Sequence, residues 1–553
     1  MPQINLFNFK QIPINNKLFY STDIIEKDGV PFLSIQNDEK LCSNLREKFD
    51  FYELYTDSSS FTSIPLSKLM RSFQILENNK TGDFDSVLNL IKPRYAPYLE
   101  SLEFMKRENK IGYHDLWYLF PKDQEVSFQR HQQTIAGKVL KTKYTKNGFE
   151  ITLRTIKLIG NGRFISNKTT IEIDPYPDLN PIDKLPCVKL SESNKAAFNK
   201  RAQKVLQFAS GTHYLDLNGK INITESWVGT QSIETKERVI VDVTLCENIP
   251  FSPISYLSSA LIEFLSPEDH HLIDPHVWCF SLQRFKKWGE VCVDFLSPIV
   301  FNEKAFDLLV IDPKIKTLLT IILIHRSQSP FVDIVQNKGG GSLVLFSGPP
   351  GIGKTLTAEA ICERLKKPLY VVSVAELGTS SENVEQNLER VLFLSKKMQA
   401  LLLIDEADVF LEQRSTNSIE RNAMIAVFLR LLEYHSGDVF LTSNRVDDFD
   451  PAIKSRINLH IQLPSLDQET RAQIWMNLLT TASNQVPFVP IDPKLISEFS
   501  RIELNGRDIK HIINHALIFH HHHVQTANGE SVLTFDSFLR QALNLAQHLT
   551  KKQ

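Results

Sequence analysis

The stretch Gly348-Pro349-Pro350-Gly351-Ile352-Gly353-Lys354-Thr355 constrains this chain more than any other. Two glycines separated by four residues and followed by Lys and Thr make the phosphate-loop pattern. Ser342 to Phe346 (SLVLF) reads as a short buried strand before it, and Leu356 to Leu365 (LTAEAICERL) has helical spacing with no breaker after it. A strand, a tight loop and a helix start in that order aim consecutive backbone N–H groups and the positive helix end at one point, where polyphosphate can sit. Gly348, Gly351 and Gly353 let the backbone turn back and approach the phosphates. Lys354 supplies a mobile cation, and the Thr355 hydroxyl can ligate magnesium. The intervening Pro349, Pro350 and Ile352 complete the expected ATP-binding loop.

From about residue 301 strands and helices alternate, which implies a parallel sheet with crossover helices. Leu369 to Val374, Ala400 to Ile404 and Val439 to Thr442 read as strands. Thr379 with Glu382 is expected to open a helix carrying Val384, Leu388, Val391 and Leu392. Asn417 with Glu420 is expected to open another that ends at Gly437. After about residue 465 strands nearly vanish. Helices opened by Asp467, around Gly506 and from about Phe535 point to a separate helical lid.

A nucleotide-hydrolysing site needs a second, carboxylate-bearing strand beside the loop, and Leu401-Leu402-Leu403-Ile404-Asp405-Glu406-Ala407-Asp408 supplies one. The acids fall where the strand emerges at the C-terminal edge of the sheet, where ligands bind in open α/β sheets. Asp405 is expected to hold magnesium through water, and Glu406 to orient and deprotonate the attacking water. The alternative reading is that these acids cap the next helix. The following strand ends in Thr442-Ser443-Asn444-Arg445, and Asn444 is expected to help hold that water.

The first half of the chain is less informative. Residues 1–95 read as an aromatic-rich lead-in of uncertain fold, 96–250 as a β-rich domain containing one amphipathic helix (Asn194 to Ala209), and 251–300 as a Pro-containing linker. Residues 301–465 are then the ATPase core and 466–553 the lid. Six cysteines without CxxC spacing argue for reduced, packed thiols. A net charge of −2 gives no general field for nucleic acid, and no basic stripe interleaved with aromatics is seen. With no basic-then-apolar leader and no run near the roughly 18 apolar residues of a membrane helix, a soluble, cytoplasmic protein is expected. The histidines His511, His515 and His520 to His523 lack an acidic co-ligand at metal spacing and are not expected to bind metal.

Together GPPGIGKT, LLLIDEADVFLEQRS, FLTSNRVDDFDPAIKSRINLHI and LNGRDIKHIINHA resemble the ATPase module of the AAA family. They most resemble a branch, frequent in fungi, with a β-rich domain of unknown function before the ATPase. HDLWYLFPKDQEVSF (from His114) and VWCFSLQRFKKWGEVCVDFLSPIVFNEKAFDLL (from Val277) are similar to that branch as well. The resemblance implies a P-loop NTPase fold: a three-layer core with a parallel sheet, a C-terminal helical lid and a preceding α+β domain. It also implies a homo-oligomer, hexameric in that family, in which Arg456 enters the neighbouring subunit's site. Many relatives carry two arginines there; this chain has Lys454 and Arg456. Arg507 falls where some relatives place a lid arginine that senses the γ-phosphate. Unfoldases of the family carry an aromatic pore loop after the position of Leu377, whereas here Gly378-Thr379-Ser380-Ser381-Glu382 follows directly. The expected function is a magnesium-dependent remodelling ATPase that meets an unknown protein through residues 1–250. The alternative is a slow or non-hydrolysing ATP switch.

Overall fold

Short apolar runs bounded by Gly, Pro or charge become the strands of a five-stranded parallel sheet. They are β1 (Ser342–Ser347), β2 (Leu369–Ser373), β3 (Leu401–Asp405), β4 (Asp438–Ser443) and β5 (Leu459–Gln462). The computed structural model describes residues 24–27, 30–36, 55–58, 61–71, 73, 77, 85–145, 147–225, 229–245, 261–325, 341–412, 419–445, 449–485, 492–526 and 535–550. The strand order is β2-β3-β4-β1-β5. Ser347 lies opposite Ser443 and Ser373 opposite Asp405, so the C-terminal ends of β1 to β4 share one edge.

The sheet is buried on both faces, which is why its strands read as continuous apolar runs rather than alternating ones. Successive side chains still point to opposite faces. Leu402, Ile404 and Leu441 pack on one side with Leu388 and Val391 of α2 (Ser381–Lys397) and Phe428 of α3 (Ile419–Glu433). Leu401, Leu403 and Phe440 pack on the other with Ala358 and Ile361 of α1 (Lys354–Leu365). This is the three-layer core expected of a P-loop fold. The helix boundaries differ in detail from the expectation. Ser380, not Thr379, caps α2 by accepting the Asn383 N–H at 3.3 Å. The capping box lies one turn earlier, between Ser373 and Glu376 of the Val374–Leu377 turn. Helix α3 closes at Glu433, short of Gly437, while Asn417 lies outside the described residues.

The C-terminal helices α4 (Gln468–Gln485), α5 (Pro493–Ser500), α6 (Gly506–Thr526) and α7 (Phe535–Thr550) close around Trp475, Phe499 and Phe538. Asp467 accepts the Thr470 N–H at 2.8 Å at the start of α4, as an acid at a helix start should.

Among the described residues, those up to Gln207 together with 261–276 make one compact unit, and 208–245 together with 277–550 make the other. The first unit is built on a six-stranded antiparallel sheet containing Gln133–Tyr144, Phe149–Ile159 and Arg163–Ile173. Phe149, Ile151 and Leu153 alternate into its core beside Leu102, Leu116 and Val139. Glu192–Gln207 is the amphipathic helix, and Ile24–Lys27, Val30–Gln36, Tyr55–Ser58 and Phe61–Pro65 contribute a four-stranded sheet of their own.

Two stretches differ from the expected division. Strands 213–225 and 229–241 pair as an antiparallel hairpin that belongs with the parallel-sheet unit, not with the β-rich domain preceding it. Residues 276–298, expected as linker, add three strands to that hairpin: His276–Ser281, Trp288–Cys292 and Leu296–Pro298. The cause is packing: Ile240, Leu245, Phe280 and Leu282 share one apolar cluster with Tyr370, Val372 and Leu377. Pro267 opens a short 3-10 turn (Pro267–Leu272), and Pro275 immediately precedes the strand His276–Ser281.

Candidate functional site

After β1 the chain reverses through Gly348 to Gly353 before α1 begins. Gly348 has φ +142° and Gly351 has φ +78°. A Cβ at Gly348 would stand 2.3 Å from the Leu463 carbonyl oxygen, and one at Gly351 2.6 Å from Asn505 Cγ. Both positions therefore exclude any side chain, by conformation and by space. The Gly348 N–H donates to the Ser443 carbonyl at 3.2 Å, and the Gly351 carbonyl accepts the Gly506 N–H at 3.0 Å. The loop is thus pinned to the end of β4 on one side and to the start of α6 on the other.

Lys354 is buried, with 8% of its surface exposed. Its ammonium donates to the carbonyls of Gly348 (2.7 Å) and Pro349 (2.8 Å) and to Asn444 Oδ1 (2.8 Å). Burial holds its pKa below the usual lysine range, although Asp408, Asp405 and Glu406 favour the charged form; the Arg507 charge adds to the lowering. One cation therefore joins the loop to the residue expected to hold water.

Asp405 ends β3. Its Oδ1 accepts the Thr355 hydroxyl at 3.1 Å and the Thr442 hydroxyl at 2.5 Å. The next residue, Glu406, has φ +54°, a left-handed conformation uncommon outside glycine. Thr442 holds it there: its hydroxyl accepts the Glu406 N–H at 2.9 Å and its carbonyl the Ala407 N–H at 2.8 Å. The Glu406 side chain is exposed at this bend. Asp408 accepts the Ser443 hydroxyl at 2.5 Å and the Asn444 N–H at 3.1 Å, fixing the backbone that presents Asn444. Sequence reasoning missed Thr442 and Asp408 as supports. The available signal was the pair of hydroxyls immediately before Asn444 and an acid one turn beyond Asp405.

The structure thus brings Gly348 to Thr355, Asp405, Glu406 and Asn444 to one sheet edge. Arg456 makes its contacts elsewhere in the same chain: Nη2 pairs with Glu433 at 2.8 Å, and Nη1 donates to the Ala452 carbonyl at 3.0 Å. Arg507 is exposed on the first turn of α6, next to the Gly506–Gly351 bond. In the short Leu377-to-Ser380 connection, Gly378 takes φ +102°. Farther along α6, the His520 ring packs against Phe535 and Phe538 at centroid distances of 6.0 and 5.9 Å.

Residues 344–465 match the family described as "ATPase family associated with various cellular activities (AAA)". The chain carries an AAA family domain. Residues 101–193 match a second family, "Domain of unknown function (DUF7025)", so the AAA domain follows a DUF7025 domain. Nucleotide binding is what membership of the AAA ATPase family supports for this domain. The chain is 35% identical over 120 residues to the human "ATPase family gene 2 protein homolog B", covering 20% of this chain and 16% of that protein. It is 31% identical over 178 residues to a "Putative 26S proteasome regulatory subunit homolog" of Methanothermobacter thermautotrophicus, covering 30% of this chain and 46% of that protein. The chain thus spans less than half the length of either relative. The crystal structure of a FIGL-1 AAA domain aligns at 18% identity and a TM-score of 0.35, covering 45% of this chain and 85% of that one. Among the described residues no helix is long and apolar enough to cross a membrane.

Proposed function

We propose that this AAA domain is a magnesium-dependent ATPase converting ATP and water to ADP and phosphate, and that it works as a homo-oligomer, hexameric by family resemblance. The observation that carries the reading is the Lys354 ammonium, 2.7 Å from the Gly348 carbonyl and 2.8 Å from Asn444 Oδ1. It links the phosphate loop to the strand end at which attacking water would be held. The loop N–H groups and the N-terminus of α1 receive the β- and γ-phosphates, with Lys354 as the neighbouring cation. Thr355 and Asp405, hard oxygen donors in mutual contact, suit magnesium, which when bound neutralises charge on the β and γ oxygens.

Asn444 orients a water toward the γ-phosphorus. As the water oxygen bonds to phosphorus, the bond to the β–γ bridging oxygen breaks, ADP carries away that electron pair, and Glu406 accepts the proton of the water. Its left-handed backbone turns it out of the strand direction toward the sheet edge. Arg456 acts on the site of the adjacent subunit, and Arg507 senses the γ-phosphate from α6. Residues 1–250 meet a protein partner, and the protein acts in the cytoplasm. Residues 301–465 serve as core and 466–553 as lid.

Glu406→Gln tests the reading. It is expected to bind ATP with unchanged affinity while losing steady-state phosphate release. Equal turnover in mutant and wild type sinks the role of Glu406. The tight connection after Leu377, with no aromatic, favours a second reading, a slow ATP-dependent switch; steady-state turnover by the wild type rules that out.

A further inference from the structure

The antiparallel sheet built from residues 213–225, 229–241 and 276–298 lies outside the segment matching the AAA family, yet it grips the AAA domain at two places. The first is the end of the helix that begins at Lys354. Arg238, on the second hairpin strand, lies with its guanidinium carbon 5.9 Å from the Tyr214 ring and 5.5 Å from the Phe301 ring. Its Nη1 pairs with Glu363, in the last turn of α1, whose other oxygen accepts the Asn302 N–H at 2.7 Å. The side chains of Arg238 and Glu363 are 23% and 16% exposed, so water screens this pair less than a surface one. Burial alone would raise the Glu363 carboxyl; Arg238 and the Asn302 N–H outweigh it and hold the group ionised.

The second place is the turn after β2. The Lys286 ammonium meets both Glu376 oxygens at 2.6 and 2.7 Å, and Glu376 is the carboxylate of the Ser373 capping box. Ser373 lies opposite Asp405 in the sheet register. The two ion pairs therefore hold the far end of the phosphate-loop helix and the strand end beside the carboxylates. Between them, Phe280 packs edge-on against Tyr370 of β2 at 5.7 Å.

We infer that Arg238 is a positioning residue for nucleotide binding, acting through Glu363 on α1, and that the antiparallel sheet is thereby coupled to the nucleotide site. Helix α1 is a stiff rod of 12 residues. Fixing its C-terminal end fixes the direction in which its N-terminal N–H groups, Lys354 and Thr355 face the phosphates. Coupling of binding free energies is reciprocal, so nucleotide that selects one position of α1 also selects one position of the sheet.

The inference rests on the proposed nucleotide site, and its test separates the two. ADP affinity is measured by calorimetry on the full chain for wild type, Arg238→Gln, Glu363→Gln and the double variant, each checked for folding by its thermal transition. Each single variant is expected to bind ADP roughly tenfold more weakly, within the range typical of coupling between two sites. The double variant is expected to lose less than the sum of the two singles, because both remove the one Arg238–Glu363 pair. In wild type, ADP is expected to slow amide exchange in residues 213–241. Folded Arg238→Gln with wild-type ADP affinity overturns the coupling alone, as do additive losses in the double variant. Wild-type protein that binds no adenine nucleotide overturns the proposed function and the coupling with it.

Discussion

At the residue scale, the site depends on backbone conformations that most side chains do not tolerate. Gly351 combines φ +78° with an Asn505 side chain 2.6 Å from where a Cβ would lie. Gly351→Ala therefore strains the loop by about 1–2 kcal/mol and is expected to weaken ADP binding roughly tenfold by calorimetry. His435, between α3 and β4, offers a pH test. It is buried, its Nε2 has no hydrogen-bond partner among the described residues, and burial pulls its pKa down to about 4 from an ordinary 6.5. Above pH 6.5 both folded and unfolded forms are neutral there, and its effect on stability is nil. As pH falls from 6.5 to 4, the unfolded chain takes up the proton first, so folding loses up to about 3 kcal/mol. His435→Gln is expected to flatten that part of a stability-versus-pH curve measured by denaturant unfolding. An identical slope in the variant would remove His435 as the cause.

At the element scale, the helical cluster α4 to α7 has its own apolar centre. Phe538 is 4% exposed within it. Phe538→Ala is expected to cost about 3–5 kcal/mol, read as faster amide exchange throughout α4–α7 with no change in residues 125–173. Uniform loosening of both units would contradict a cluster that stabilises itself. The elements differ in how legible they were. β1, β3 and β4 could be read because burial on both faces leaves an unbroken apolar run between polar ends. Glu406's bend could not: its φ of +54° is imposed by Thr442 on a neighbouring strand, 36 residues away in the chain. The hairpin strands of 213–241 could be read as strands from their alternation, but alternation is silent about which core the apolar side joins.

At the scale of the whole molecule, the in-chain contacts of Arg456 bear on assembly. Arg456 is held by Glu433 and the Ala452 carbonyl within its own chain. If it completes a neighbouring site, ATPase activity per mole is expected to rise with protein concentration and then saturate. Adding inactive Arg456→Ala subunits should depress wild-type activity by more than dilution. Concentration-independent activity with no such depression would place hydrolysis within one subunit. Arginine contributions in trans reach about 10³-fold or more in other phosphoryl-transfer enzymes, so the expected effect is large.

The phosphate loop, the carboxylate strand and their order are all written along the chain. Those signals are local: glycines where backbone must reverse, four apolar residues before two acids, and a hydroxyl after a lysine. They therefore determine the kind of core this chain builds. Which distant groups support that site is set by three-dimensional packing. Thr442 and Asp408 set Glu406 and Asn444, Asn505 and Gly506 close over Gly351, and a sheet that reads as part of the preceding domain reaches α1 through Arg238. Each of those contacts joins residues far apart in the chain or on separate elements. Packing complementarity chooses such partners, and a residue pattern along one segment does not encode it.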